Sequence, residues 1–174
     1  MRLTCATLLA LVALGSGACG SGDDPPGAPA RPATALRESP RLVGGGPEAF
    51  RRQVRALRGT PIVVNQWASW CGPCRFEFPF FRALAERYRG RVAFLGVDSQ
   101  DSRGEGERFL RENPVPFPSF FDPAVKIARE FRGGIAWPTT AFYDRSGRLV
   151  NTHAGAYAGR GKLEADIREH ALGL

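Results

Sequence analysis

Cysteine and histidine are scarce in this chain, lysine is nearly replaced by arginine, and no apolar run is long enough to cross a bilayer. Of the four cysteines, Cys5 and Cys19 fall near the N-terminus and Cys71 and Cys74 stand two residues apart, while His153 and His170 are isolated. A Cys-x-x-Cys pair is half of a structural zinc site; the other half is missing, so no metal is expected. Lys126 and Lys162 stand against 22 arginines, which produce the net charge of +7. The arginines are scattered, with no basic stripe and no nucleic-acid motif. We read them as solvated faces and expect no nucleic-acid partner. The apolar stretch Leu3 to Leu14 is nearer 12 residues than the roughly 20 that span a membrane. There is also no internal repeat.

What is present fits one globular domain with an N-terminal extension, since 174 residues of 43% hydrophobic content can bury a core without disulfide staples. Met1-Arg2, the apolar stretch and Gly15-Ser16-Gly17-Ala18-Cys19 read as an export signal over residues 1–18. The arrangement resembles a bacterial lipoprotein signal, in which the cysteine after the cleavage point is lipidated; here that is Cys19. Ser16 departs from the leucine usual at that position, and ordinary secretion is the alternative. Residues 19–41, rich in Gly, Pro, Ala and Ser, have the composition of a disordered tether with a reach of about 25 Å.

From residue 42 to 174 the patterns are those of a folded domain. Leu42-Val43 is expected as an edge strand, and Pro47-Glu48 opens a helix with Phe50, Val54 and Leu57 on one face. Ile62-Val63-Val64 reads as a strand buried on both faces of a parallel sheet. The next helix carries Phe76, Phe80, Phe81, Leu84 and Tyr88, expected in the core, with Pro79 inside it. A second buried strand over Val92 to Val97 and a helix over Glu105 to Glu112 complete a βαβ unit. Ser119-Phe120-Phe121 is a short strand and Pro123 to Phe131 a helix. Thr139 to Tyr143 and Arg148 to His153 form an antiparallel hairpin, and a last helix covers Gly161 to Leu172.

The chemistry centres on Cys71 and Cys74, which follow a buried strand and open a helix. Unpaired N–H groups and the positive end of the helix dipole stabilise a thiolate there, so Cys71 is the candidate nucleophile. Cys74, one turn on, can attack a mixed disulfide on Cys71 and close the ring. A purely structural disulfide is a poor account of the pair, because so small a loop constrains little of the chain. Glu77, three residues past Cys74, shares that helical face and can take or supply its proton if burial raises its pKa.

Trp70-Cys71-Gly72-Pro73-Cys74, with Glu77 and Pro79 completing WCxxCxxExP, resembles the thioredoxin-like superfamily, and within it the extracytoplasmic TlpA/ResA-type thiol–disulfide oxidoreductases. Asp122-Pro123, Gly134 to Thr140 and Asp144 to Leu149 resemble that branch as well. The resemblance implies a thioredoxin-like α/β fold, a mixed central sheet flanked by helices in a single domain. It implies that Pro138 is cis and faces the dithiol, with the Trp137 backbone pairing with substrate main chain, and that Trp70 and Trp137 rim the site. Asn65 stands where cytosolic thioredoxins carry a buried aspartate, which makes Glu77 the better candidate for the proton carrier, a solvated helix glutamate being the alternative.

The expected function is thiol–disulfide exchange with exported proteins through the Cys71/Cys74 dithiol, with no cofactor beyond that redox-active disulfide. Gly72-Pro73, the dipeptide of reducing thioredoxins, favours a reductase, one that serves cytochrome c maturation and draws electrons from a membrane thiol–disulfide carrier. An oxidase that installs disulfides, or a redox-inert thioredoxin-like binding module, are the alternatives. The expected location is the outer face of the cytoplasmic membrane, lipid-anchored, or else soluble outside the cytoplasm.

Overall fold

The structure, a computed structural model, describes residues 42–174. The expected signal at 1–18, Cys19 and the tether at 19–41 lie outside the described residues. Among the described residues no helix is long and apolar enough to cross a membrane.

The strands are β1 (Leu42–Val43), β2 (Ile62–Trp67), β3 (Ala93–Ser99), β4 (Ser119–Asp122), β5 (Thr139–Tyr143) and β6 (Leu149–Ala154). They form one six-stranded sheet in the order β1-β4-β3-β2-β5-β6. β1, β4, β3 and β2 pair in parallel, and β5 and β6 are antiparallel additions beside β2. The helices are α1 (Gly46–Ala56), α2 (Gly72–Arg87), α3 (Arg103–Glu112), α4 (Lys126–Glu130) and α5 (Arg160–Asp166), the last running on into a π-helical turn at Ile167–Ala171. This is the mixed sheet flanked by helices that the resemblance implies.

Strand alternation divides the core into two layers. Val63 and Trp67 of β2 and Phe94 of β3 point toward α2, α3 and α5, where they meet Phe78, Phe81, Phe109 and Ile167. Ile62, Val64, Leu95 and Val97 point the other way, onto Phe50 and Val54 of α1 and Ile127 of α4. Asn65 therefore faces α2 and Gln66 faces α4. Gly96 on β3 is required by close packing: a Cβ there would meet the Ser119 hydroxyl and the Trp67 indole, which are themselves hydrogen-bonded at 3.1 Å.

Two expectations are corrected. On α2 the buried residues are Cys74, Glu77, Phe78, Phe81, Leu84 and Ala85, with Tyr88 at the C-cap, whereas Phe76 is 58% exposed and Phe80 is half-buried against it. The i, i+3, i+4 phase is set by Cys74 and Phe78, and Phe76 lies about a third of a turn or more off it. The helix expected over Pro123 to Phe131 is reduced to Lys126–Glu130, because the Asp122 carboxylate accepts the N–H groups of Lys126, Ile127 and Ala128 at 2.7, 3.0 and 2.9 Å. Asp122 thus caps a late start, and Val125 turns through a positive φ of 58° to allow it.

Candidate active site

β2 carries the chain to Trp67 at the C-terminal edge of the parallel strands, where Ala68, Ser69 and Trp70 make the turn into α2. The β3–α3 loop holds this turn in place. Ser69 N–H donates to Asp101 Oδ2 at 2.5 Å and the Trp70 indole N–H donates to the Gln100 carbonyl at 2.9 Å. Arg75 is exposed and donates a hydrogen bond to the Ser69 carbonyl at 2.9 Å, with its guanidinium 4.8 Å over the Phe109 ring.

Cys71 is the N-cap of α2 and is joined to Cys74 in a disulfide, with Cα atoms 5.3 Å apart. Cys71 Sγ accepts the Cys74 N–H at 3.1 Å. That donor is one of those a helix leaves unpaired at its start, and a thiolate on Cys71 inherits it when the disulfide opens. Cys71 is 3% exposed and Cys74 fully buried, which suits one sulfur for partners and the other for the internal step.

Glu77, on the next turn of the same face, is fully buried. Its Oε1 accepts the Asn65 side-chain amide at 2.8 Å and its Oε2 accepts the Tyr157 backbone N–H at 3.2 Å. Burial pushes its carboxyl up to about 7, and the two hydrogen bonds hold it from going higher. A carboxyl poised there exchanges a proton readily at neutral pH.

Trp137–Pro138 is a cis peptide, the isomer that the resemblance implies. Thr139 pairs with Gln66, so the bend at Pro138 lies at the same end of the sheet as the turn after Trp67. The Trp70 and Trp137 rings meet with centroids 5.6 Å apart, and Trp70 is 55% exposed. Gly134 N–H donates to Gln66 Oε1 at 2.9 Å and anchors the approach, leaving Ile135 projecting into solvent. Cys71, Cys74, Glu77, Trp70, Trp137 and Pro138 therefore come together at one sheet end.

The profile of the AhpC/TSA family matches residues 48–152. The chain belongs to that family. The thiol:disulfide interchange protein DsbE homolog of Paracoccus denitrificans is 40% identical over 94 residues, 53% of this chain and 50% of that protein. The matched segment is thus half the length of that relative. The thiol-disulfide oxidoreductase ResA of Bacillus cereus is 26% identical over 120 residues, 68% of this chain and 69% of that one. A crystal structure from Chlorobium tepidum named for the interchange protein DsbE superposes with a TM-score of 0.58 at 30% identity, covering 63% of this chain and 79% of its own. The chain is accordingly a thioredoxin-like thiol–disulfide oxidoreductase of the DsbE and ResA type.

Three contributors escape a reading of residues alone. Asn65 stands out in sequence as a replacement for an aspartate, but its bond to Glu77 does not. Asp101 looks like one more loop acid, and Tyr157 like a strand-end aromatic. His170 is less isolated than its sequence position suggests, since its ring lies with Asp166 and Glu169 within 4.8 Å. His153 is a β6 strand residue, as expected.

Proposed function

We propose that this protein is an extracytoplasmic reductase of protein disulfides, with Cys71 as nucleophile, Cys74 as resolving thiol and Glu77 as proton carrier. The observation that carries the assignment is Cys71 Sγ at the N-cap of α2 on the Cys74 N–H, with a buried, neutral-range carboxyl one turn along. In the forward reaction the Cys71 thiolate attacks one sulfur of a partner disulfide. The partner S–S bond breaks, a Cys71–partner S–S bond forms, and the partner's first thiolate leaves. Cys74 then gives its proton to Glu77 and its thiolate attacks Cys71 Sγ, forming the Cys71–Cys74 bond and releasing the partner's second thiolate. Two electrons pass from the dithiol to the partner, and a membrane thiol–disulfide carrier must return them. Trp70 and Trp137 supply an apolar rim, and the Pro138 bend presents the Trp137 backbone to the partner's main chain.

The signal-like residues 1–18 and Cys19 support export and a lipid anchor, with 19–41 as tether, so that the domain works beside the outer face of the cytoplasmic membrane. The partners are exported proteins whose cysteines must be kept reduced, apocytochrome c among them. Gly72-Pro73 supports the reducing direction.

The testing experiment is capture with Cys74→Ala, which stops the reaction at the mixed disulfide. Partners recovered through Cys71 from the exported fraction are expected to be proteins with paired cysteines, and Cys71→Ser must recover none. A reduction potential well above about −200 mV for the Cys71/Cys74 couple would reverse the direction to an oxidase.

A further inference from the structure

The loop between β6 and α5, Gly155-Ala156-Tyr157-Ala158-Gly159, is built of small residues around one large one. Only Tyr157 among these five is buried, at 1% exposure, so it is the loop's only side chain in the core. Its ring stacks on His153 of β6 with centroids 4.1 Å apart and planes 17° from parallel. Its hydroxyl donates to Asp166 Oδ2 of α5 at 2.9 Å, and the other Asp166 oxygen takes the Lys162 ammonium at 2.8 Å. The backbone N–H of this same residue is the second donor to Glu77.

We propose that Tyr157 is a positioning residue for the resolving half of the reaction: its side chain, clamped between His153 and Asp166, fixes its own N–H against Glu77 Oε2. The proposal rests on Glu77 being the proton carrier. A backbone N–H stabilises the ionised carboxylate more than the neutral acid, so its placement sets how readily Glu77 accepts the Cys74 proton. Gly155 N–H donates to the Pro138 carbonyl at 2.9 Å and fixes the start of the loop; with Ala156 and Ala158 exposed, Tyr157 is the side chain that carries the hold on to its own N–H.

The charged groups around the clamp favour it at neutral pH. Burial pulls the Asp166 carboxyl up, but the bonds from Lys162 and Tyr157 with the nearby His153 outweigh it and hold the group below its ordinary range. His153 Nδ1 lies 4.0 Å from Asp166 Oδ2, and Glu169 and His170 stand on the following turn. Facing Glu77 itself are Asn65 from β2, Cys74 from α2 and Tyr157 from the loop. Asp166 is thus an acceptor anion throughout the working range, and the Tyr157 hydroxyl, held protonated by burial and by Asp166, is a donor throughout it.

The test separates the two thiol steps with dithiobis(nitrobenzoate). The reduced protein releases one nitrothiobenzoate when Cys71 attacks and a second when Cys74 resolves the mixed disulfide, and the second phase is followed by stopped flow from pH 5 to 10. In the wild type this phase rises through an inflection belonging to Glu77; in Tyr157→Phe and in Asp166→Ala that inflection moves up by about one pH unit. The first phase is unchanged in both, and the double variant shifts no further than either single one, because one clamp is removed either way. A protein merely loosened by these changes would lose melting temperature without moving the inflection. Glu77→Gln is the separating control. If it abolishes the inflection while Tyr157→Phe and Asp166→Ala leave the inflection in place, the positioning role is wrong and the Glu77 assignment stands. If Glu77→Gln leaves the wild-type profile intact, both fall.

Discussion

Glu77 and Asp98 are both fully buried carboxylates on the α2–α3 side of the sheet, and they are equipped for opposite states. Glu77 receives one donor on each oxygen, from Asn65 and Tyr157, so its anion has somewhere to put its charge. Neither oxygen of Asp98 receives a hydrogen bond. Burial, then the Asp101 carboxylate, push Asp98 up to about 8, with Arg103 pulling weakly the other way. The Asp101 carboxylate also accepts Ser69 N–H of the active-site turn. In the proposed reaction Glu77 gains and loses a proton during turnover, whereas Asp98 keeps its own. Burial alone does not make a proton carrier; the donors that wait for the anion do.

The largest expected effect is on stability against pH. Both groups bind a proton more tightly in the folded than in the unfolded chain. Stability therefore falls as pH rises from the ordinary carboxyl range through each folded pKa, to about 7 for Glu77 and about 8 for Asp98. Over that window Asp98 alone removes about 6 kcal/mol and Glu77 about 3 kcal/mol, at about 1.36 kcal/mol per unit. Urea unfolding of the oxidised protein between pH 4 and 9 is expected to show this decline. Asp98→Asn should flatten it up to pH 8 and Glu77→Gln only up to pH 7. An unchanged slope in Asp98→Asn would mean that Asp98 is ionised in its site and that the contrast with Glu77 is false.

The next effect is kinetic and runs the other way. At pH 7.5 the resolving step should slow about 100-fold in Glu77→Gln, the usual loss when a general base is removed, and less than about twofold in Asp98→Asn. Stopped-flow measurement of mixed-disulfide resolution checks both. Comparable slowing in the two variants would mean that Asp98 reaches the dithiol through Asp101 and the active-site turn, and it would then be a positioning group rather than a bystander.

Of these two carboxylates only Glu77 is legible in the sequence, because a spacing of three from Cys74 places it on the dithiol's helical face. The strands were legible wherever β-branched runs mark them, and the site wherever it lies on Trp70 to Pro79 or at Trp137-Pro138. Asp98 was not, since the apolar run ends at Val97 and a following aspartate looks like an exit from the sheet; β3 in fact continues through Ser99 and takes Asp98 inside. The aromatic content of α2 misleads for a related reason. Phe76 and Phe80 repeat at four residues as faithfully as Phe78, Phe81 and Tyr88 do at their intervals, and only the packing phase distinguishes the two stripes. Tyr157 and Asp101 act through tertiary contacts 80 and 32 residues distant, which no local pattern carries.

The smallest effect concerns the lid over Asp98. Gly106 of α3 lies against it, and a Cβ there would overlap Asp98 Oδ2 and come within 3.5 Å of Leu42 Cδ2. Helix propensity alone would make Gly106→Ala favourable by about 1 kcal/mol, so the sign of the measured change reports whether the carboxyl can yield. It is boxed in by β3 and α3, and overpacking of this kind costs about 1–3 kcal/mol. Gly106→Ala is therefore expected to destabilise the protein in urea at pH 6. In an Asp98→Ala background, where the overlapping atom is gone, the same substitution should become neutral or favourable. If Gly106→Ala is as harmful without the Asp98 carboxyl as with it, the strain lies at Leu42 and β1 instead, and Asp98 is less tightly enclosed than its lack of donors implies.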